Sequence, residues 1–447
     1  MIRMTRRLVR GTVLLLVMGG CGALDVSDPT AIEQTDVGSA KGAELLRRDA
    51  LGKLYVAVSN ATIKTGLISD ELTGRATAFI LRDALDRRNS EEYEQVTVIE
   101  GTSSVYGSWQ AVRHAATLAI PVIKANGAEG AAQAHAGEMF AVRGFATLAI
   151  AENVCAGVPL HDVVDFNPVY GLPASTAQVF ERALADGDSA VGYAADSIGI
   201  LNLARIGRGR ALLGLGRFAE AGAAAQSVPT TYILNAEFSA TFNPNQPNML
   251  GMLSEPDFEK SVSVSDREGT NGLDFVTADD PRVQTSSITE YGITATVPAK
   301  YLNRAAPIVM ASGIEARLIE AEAMLQAGNE PAWLAQLNTL RTNGTQTDGV
   351  WNPGTGGVTG LAPLADPGTD QARVDLLFRE RAFWLFGTNH RLGDLRRLID
   401  HYGRQPETVF PTGSYHQGGN YGTATSIPFP AALETPHNPS VTGCTSR

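Results

Sequence analysis

The groups able to do covalent or metal chemistry are few in this chain: three cysteines and seven histidines among 447 residues. No H-E-x-x-H pair, Walker A loop, G-x-S-x-G elbow or C-x-x-C pair occurs. The spacings that carry zinc proteolysis, phosphate cradling, serine hydrolysis and dithiol exchange are therefore missing. The histidines stand at no metal-ligand spacing, so no catalytic residue, cofactor or metal is expected and the chain does not read as an enzyme. The cysteines say more. Arg3, Arg6, Arg7 and Arg10 flank an apolar run at 12–18 that is too short to span a bilayer and reads as an export signal. Met18-Gly19-Gly20-Cys21 follows, and small residues before a cysteine form the pattern of a bacterial lipobox, whose cysteine becomes the acylated N-terminus. Residues 1–20 thus read as a lipoprotein signal peptide. Residues 21–41 read as a polar spacer, lipidated at Cys21, that tethers the body without a spanning helix. Export leaves Cys155 and Cys444 in an oxidising compartment. An even pair there forms a disulfide more readily than a metal site, since two ligands alone do not hold zinc. A bridge closing so long a loop contributes about 4 kcal/mol in chain-entropy terms.

The elements that must position any site centre on residues 374–399. Val374, Phe378, Ala382 and Leu385 recur at helical spacing, Gly387 interrupts, and Leu392, Leu395 and Ile399 resume. Interleaved Glu380, Arg381, His390, Arg391, Asp394, Arg396 and Arg397 predict ion pairs at a seam between elements, with no nucleophile or metal partner beside them. Upstream, 42–65, 105–123 and 131–154 read as helices, and Pro121 should kink or shorten the second. Ser175 and Gln178 offer a capping box for a helix striped by Phe180, Leu184, Gly187 and Val191. Residues 69–92, with mixed charge and poor periodicity, read as a partly irregular excursion. Gly216, Phe218 and Ala221 fall where a tetratricopeptide unit has its turn, and a second such pair spans 314–341 around Gly328 and Asn329. Residues 230–307 read as loops plus short strands, 342–370 as a long Gly/Pro/Thr loop, and the tail from 405 as extended. A hydrophobic content of 44% is ample for a core, and a net charge of −11 argues against nucleic acid as a partner, because phosphate binding needs a basic face. The residues alone suggest a helical-pair scaffold with loop-rich insertions, in one large domain or in two or three ordinary ones.

Glu380, Arg381, Gly387, Arg391, Asp394, Leu395 and Arg397 resemble the C-terminal signature of the SusD/RagB family of outer-membrane nutrient-binding lipoproteins. Thr388 and Asn389 stand near the glycine where that family has an acidic residue. The resemblance extends to the lipobox at Cys21, the stretch 143–160 ending in Gly157-Val158-Pro159-Leu160, and Asp280-Pro281-Arg282 followed by Lys300-Tyr301. It continues through Ile427-Pro428-Phe429-Pro430, Glu434 and Asn438-Pro439 near the end. It implies a mainly α, SusD-like fold in one domain at 42–447, with tetratricopeptide-like helix pairs in a right-handed superhelical scaffold and a loop-rich ligand-binding part. It also implies a lipid-anchored, surface-exposed outer-membrane protein that takes an oligomeric nutrient, often a glycan, to a SusC-like TonB-dependent β-barrel.

Sugars are bound by stacking on aromatic rings while Asp, Asn and Arg bond their hydroxyls. The loop aromatics Tyr93, Tyr291 and Trp351 are the candidates, with Asp70, Glu71 and Arg82 as polar partners. Trp109, Trp333 and Trp384 sit on helical stripes and read as core. Aromatics make up only 7% of the chain, so no long stacking platform is expected, and peptide or other ligands stay open. The alternative is a tetratricopeptide-type envelope adaptor without a small ligand. A third reading, a secreted hydrolase, rests on Gly187-Asp188-Ser189, which has the letters of an esterase nucleophile block but lies within a helical stripe.

Overall fold

A computed structural model describes residues 38–75, 80–164, 167–194, 197–240, 247–255, 261–342 and 361–445. Cys21, Trp351 and the signal peptide lie outside these residues, as does the side chain of Arg82. Helix α1 (Ala40–Ile68) starts where Ser39 caps the Gly42 N–H and runs past both ends of its sequence period. It leads into strand β1 (Leu72–Gly74) and two further helices, α2 (Ile80–Asp86) and α3 (Ser90–Glu100). The excursion at 69–92 is thus more regular than its sequence pattern. Asn89 caps α3, and Glu91 and Glu92 sit in its positive first turn.

Helix α4 (Val105–Asn126) continues through Pro121 instead of stopping there. Pro121 lies on the exposed side, where solvent can serve a carbonyl left without its amide partner. Helix α5 (Ala132–Asn153) leads into the paired strands β2 (Val158–Pro159), β3 (Asp162–Val164), β4 (Asn167–Val169) and β5 (Pro173–Ala174). β2 joins β5 and β3 joins β4, both antiparallel. The Ser175–Gln178 capping box opens α6 (Thr176–Tyr193). The small residues of α5 let α6 approach closely: a Cβ at Gly144 would stand 3.1 Å from Asp186 Cβ. Helices α7 (Ile198–Gly214) and α8 (Phe218–Ala225) form the first tetratricopeptide-like pair, with Ala221 fully buried at their contact.

The first insertion contributes β6 (Ile233–Ala236), the short α9 (Met249–Met252), β7 (Val262–Val264), β8 (Thr285–Glu290) and β9 (Ile293–Pro298), before β10 (Ile308–Ser312). β1 pairs antiparallel with β7, Leu72 opposite Val264. β6 pairs with β10, and β8 turns directly into β9. The second helix pair is α10 (Gly313–Gln326) and α11 (Glu330–Thr342). Next come α12 (Asp370–Trp384), the Gly387 break at φ +66°, α13 (Arg391–Tyr402), and the single turns α14 (Pro406–Val409) and α15 (Ala431–Glu434). Trp109, Trp333 and Trp384 are fully buried core. No helix among the described residues is long and apolar enough to cross a membrane.

The charges of α12 and α13 do form a buried seam. Arg381 donates two bonds to Asp394 (2.8 and 2.9 Å), and Arg397 bridges Asp394 (3.0 Å) and Glu322 (2.7 and 2.9 Å). Glu380 takes bonds from Arg282 and Arg341, each as close as 2.7 Å. A disulfide joins Cys155, just after α5, to Cys444, with Cα atoms 5.5 Å apart. Backbone bonds between Asn153 and Ile427 and between Ala156 and Thr445 (2.8 and 2.9 Å) dock the tail beside it.

Candidate functional site

Where α1 ends, two acids decide how the next strand is held. Asp70 is fully buried and accepts two bonds from the Arg391 guanidinium (2.6 and 2.8 Å) and one from the Leu273 N–H (3.0 Å). Glu71, also buried, accepts the Gly387 N–H (3.1 Å), and its burial pushes the carboxyl up to about 8. Burial likewise holds the nearby Lys300 well below the ordinary lysine range, while its ammonium nitrogen donates to the Phe386 carbonyl (2.8 Å). These two acids therefore fasten β1 to α13 and to the Gly387 turn, which corrects their reading as ligand partners. Local polarity suggested an exposed loop, but a cation far along the chain takes Asp70 inward. Tyr93 is corrected in the same way: it is buried in α3 and donates to Glu100 (3.1 Å). Tyr291 stands 73% exposed at the tip between β8 and β9. Ser189, in α6, donates to the Ala185 carbonyl (3.0 Å) and has no strand-to-helix elbow around it.

Fixed at its start, β1 carries Thr73 and Arg75 to the wall of a cleft of about 300 Å³. The opposite wall is the stretch after β7, with Asp266, Arg267 and Glu268, and the tail closes it with His416 and Tyr421. Arg88 holds the tail loop at both ends, donating to the Pro411 carbonyl (2.6 Å) and the Ala424 carbonyl (2.8 Å). The His416 ring contacts the Gly74 carbonyl (2.9 Å). Tyr421 and Ser265 both donate to Glu268 (2.8 Å each). Asp266 is engaged by the backbone N–H groups of Val276 and Thr277, whereas Arg75, Arg267 and His416 are exposed. The cleft thus offers guanidinium donors, hydroxyls and aromatic edges to a polar ligand. None of Arg75, Arg267, His416 or Tyr421 was singled out by sequence. The expectation of short strands within 230–307 was the one local signal near them.

Beneath this cleft Asp86 accepts bonds from the Gly74 N–H (2.6 Å) and the Tyr415 hydroxyl (2.7 Å) on one oxygen. Burial pushes its carboxyl up, and burial with Asp86 as neighbour pushes Glu268 well up too. Asp86, Glu268 and His416 place one ligand atom each within 4.8 Å of one another, although they are too far apart in sequence for any spacing rule. A larger groove of about 790 Å³ runs along α1 and α4 to Met249. Its cations are already paired, Lys53 with Asp49 inside the groove and Arg48 with Glu44 beside it (2.6 Å). The smaller cleft keeps exposed donors and is the better candidate.

No family model and no curated protein matches the chain. Its architecture does match: this is the SusD fold, as the resemblance implied. A SusD superfamily protein from Bacteroides vulgatus ATCC 8482 aligns with a TM-score of 0.61 at 16% identity, over 91% of this chain and 99% of that one. A SusD-like carbohydrate binding protein from the same organism gives 0.57 at 14% identity, over 80% and 83%. Surface glycan-binding protein A from Bacteroides uniformis gives 0.60 at 14% identity, over 90% and 99%.

Proposed function

We propose that this protein is a non-enzymatic, lipid-anchored cell-surface protein that captures an oligomeric glycan and delivers it to a TonB-dependent barrel. One observation carries the reading: a fold shared along nearly the whole chain with proteins named for carbohydrate binding presents a cleft of exposed guanidinium, imidazole and hydroxyl groups. Arginine donors bond sugar hydroxyls or carboxylates in a fixed fork, and the Tyr421 edge limits how a ring can lie. The lipobox at Cys21 supports the anchor, and acylation there would keep the protein beside a barrel partner.

The test is calorimetric titration of the mature, disulfide-intact protein with a panel of neutral and acidic oligosaccharides. The reading expects saturable binding that Arg75→Ala weakens. Failure of every glycan in the panel overturns glycan capture. Delivery is tested separately, by gentle extraction of membranes with Cys21 intact. A plug-bearing β-barrel at near-equal stoichiometry supports it, and soluble envelope proteins alone would favour the adaptor reading instead.

A further inference from the structure

The floor of the cleft holds two buried carboxyls that the proposed function does not use, beside the His416 imidazole that it does. Asp86 closes α2, Glu268 follows β7, and His416 lies in the tail. Their ligand atoms lie within 4.8 Å of one another. Asp86 is 1% exposed and Glu268 6%, so each carboxylate needs a partner at that depth. Among the described residues the groups that donate to them are Thr73, Gly74, Tyr415, Ser265 and Tyr421, none of them an arginine or lysine. One oxygen of Asp86 is saturated by Gly74 and Tyr415. The other, Oδ1, is buried and takes no bond from an N–H or hydroxyl among the described residues, and the neighbouring Glu268 carboxyl can bond Asp86 only while one of the two keeps its proton. Two buried carboxyls that meet each other beside an imidazole must either share a proton or hold a cation in its place.

We propose that Asp86, Glu268 and His416 form a binding site for a divalent transition-metal cation, zinc or manganese, at the floor of the cleft. Two carboxylates and an imidazole suit these ions. Calcium and magnesium favour all-oxygen sets. Three protein ligands leave further coordination positions, and Glu268 and His416 both line the cleft, so water or a ligand oxygen can complete the shell from that side. The ion would replace the protons of the two carboxyls and tie α2, the stretch after β7 and the tail together. The site stands independently of what the cleft binds.

The test uses the mature, disulfide-intact protein stripped with chelator, titrated with zinc, manganese and calcium chlorides and followed by calorimetry and thermal melting. The expected result is one equivalent of zinc or manganese bound, with a raised Tm. His416→Ala alters an exposed residue, so its metal-free melting should match the parent, while its affinity for the ion falls at least tenfold. Asp86→Asn should lose the ion as well. Three results overturn the site: no saturable uptake of zinc or manganese by the parent, uptake unchanged in His416→Ala, or binding of calcium alone.

Discussion

The seam between α12 and α13 and the floor of the cleft are both crowded with buried charge, yet they differ in one respect. In the seam every carboxylate meets a guanidinium. Burial alone would raise Asp394, but Arg381 and Arg397 hold it well below the usual carboxylate range. At the cleft floor Asp86 and Glu268 have each other for neighbours, and burial drives both upward. Charge that is matched inside the fold is committed to structure. Charge left unmatched beside an opening stays available to something from outside.

The sharpest way to break this contrast is to make the seam resemble the cleft. Arg381→Ala leaves Asp394 and Glu322 with one guanidinium fewer in a dry interior. It should cost about 3–5 kcal/mol of unfolding free energy in urea titrations. A loss under about 1 kcal/mol would mean the seam is not what holds α12 and α13. Glu71 probes the boundary between the regions. Burial raises its folded carboxyl from the ordinary 4.5 to about 8, which favours the protonated form. The stability it contributes is full below about 4.5 and lost as pH rises toward 8. Glu71→Gln keeps an acceptor for Gly387 without the proton, so it should flatten the fall in stability across that window when denaturation midpoints are compared with the parent. Equal slopes for the two proteins would place Glu71 in an ionised state throughout.

The cleft should answer in the opposite currency, ligand affinity without stability. Arg75→Ala should weaken glycan binding about tenfold, a change of about 1.4 kcal/mol, with Tm unmoved. A drop in Tm together with affinity would make Arg75 a structural residue like Arg391. Tyr291→Ala is the smallest expected effect. Its ring stands clear of the body, so stability should stay within about 0.5 kcal/mol of the parent, and any change would appear only with ligands long enough to reach the hairpin tip.

The sequence was legible where the determinants are local. The helical stripe through Val374, Phe378 and Ala382, the break at Gly387 and the Ser175–Gln178 box all act within a few residues, and all formed. The Cys155–Cys444 pairing could be read because only two cysteines remained to choose from. The fold itself came from the resemblance rather than from periodicity. Asp70 and Glu71 show where local reading fails: their partners, Arg391 and the Gly387 amide, lie more than three hundred residues away. The cleft shows it again, since positions 75, 267, 416 and 421 share no spacing and meet only through the β1–β7 pairing and the Arg88 clamp.

The disulfide also governs how the molecule would respond to a mechanical pull. Its half-cystines are separated by 289 positions, so under tension the oxidised chain can pay out only what lies outside that closed ring. Stretched from its two ends, it should withhold about 1,000 Å of contour length that the reduced chain releases. Load entering at the C-terminus passes through sulfur into α5 and bypasses the tail loop that carries His416 and Tyr421. The tail wall of the cleft is thereby spared a load that would reach it first in the reduced chain, whereas β1, on the N-terminal side of Cys155, stays in the line of force.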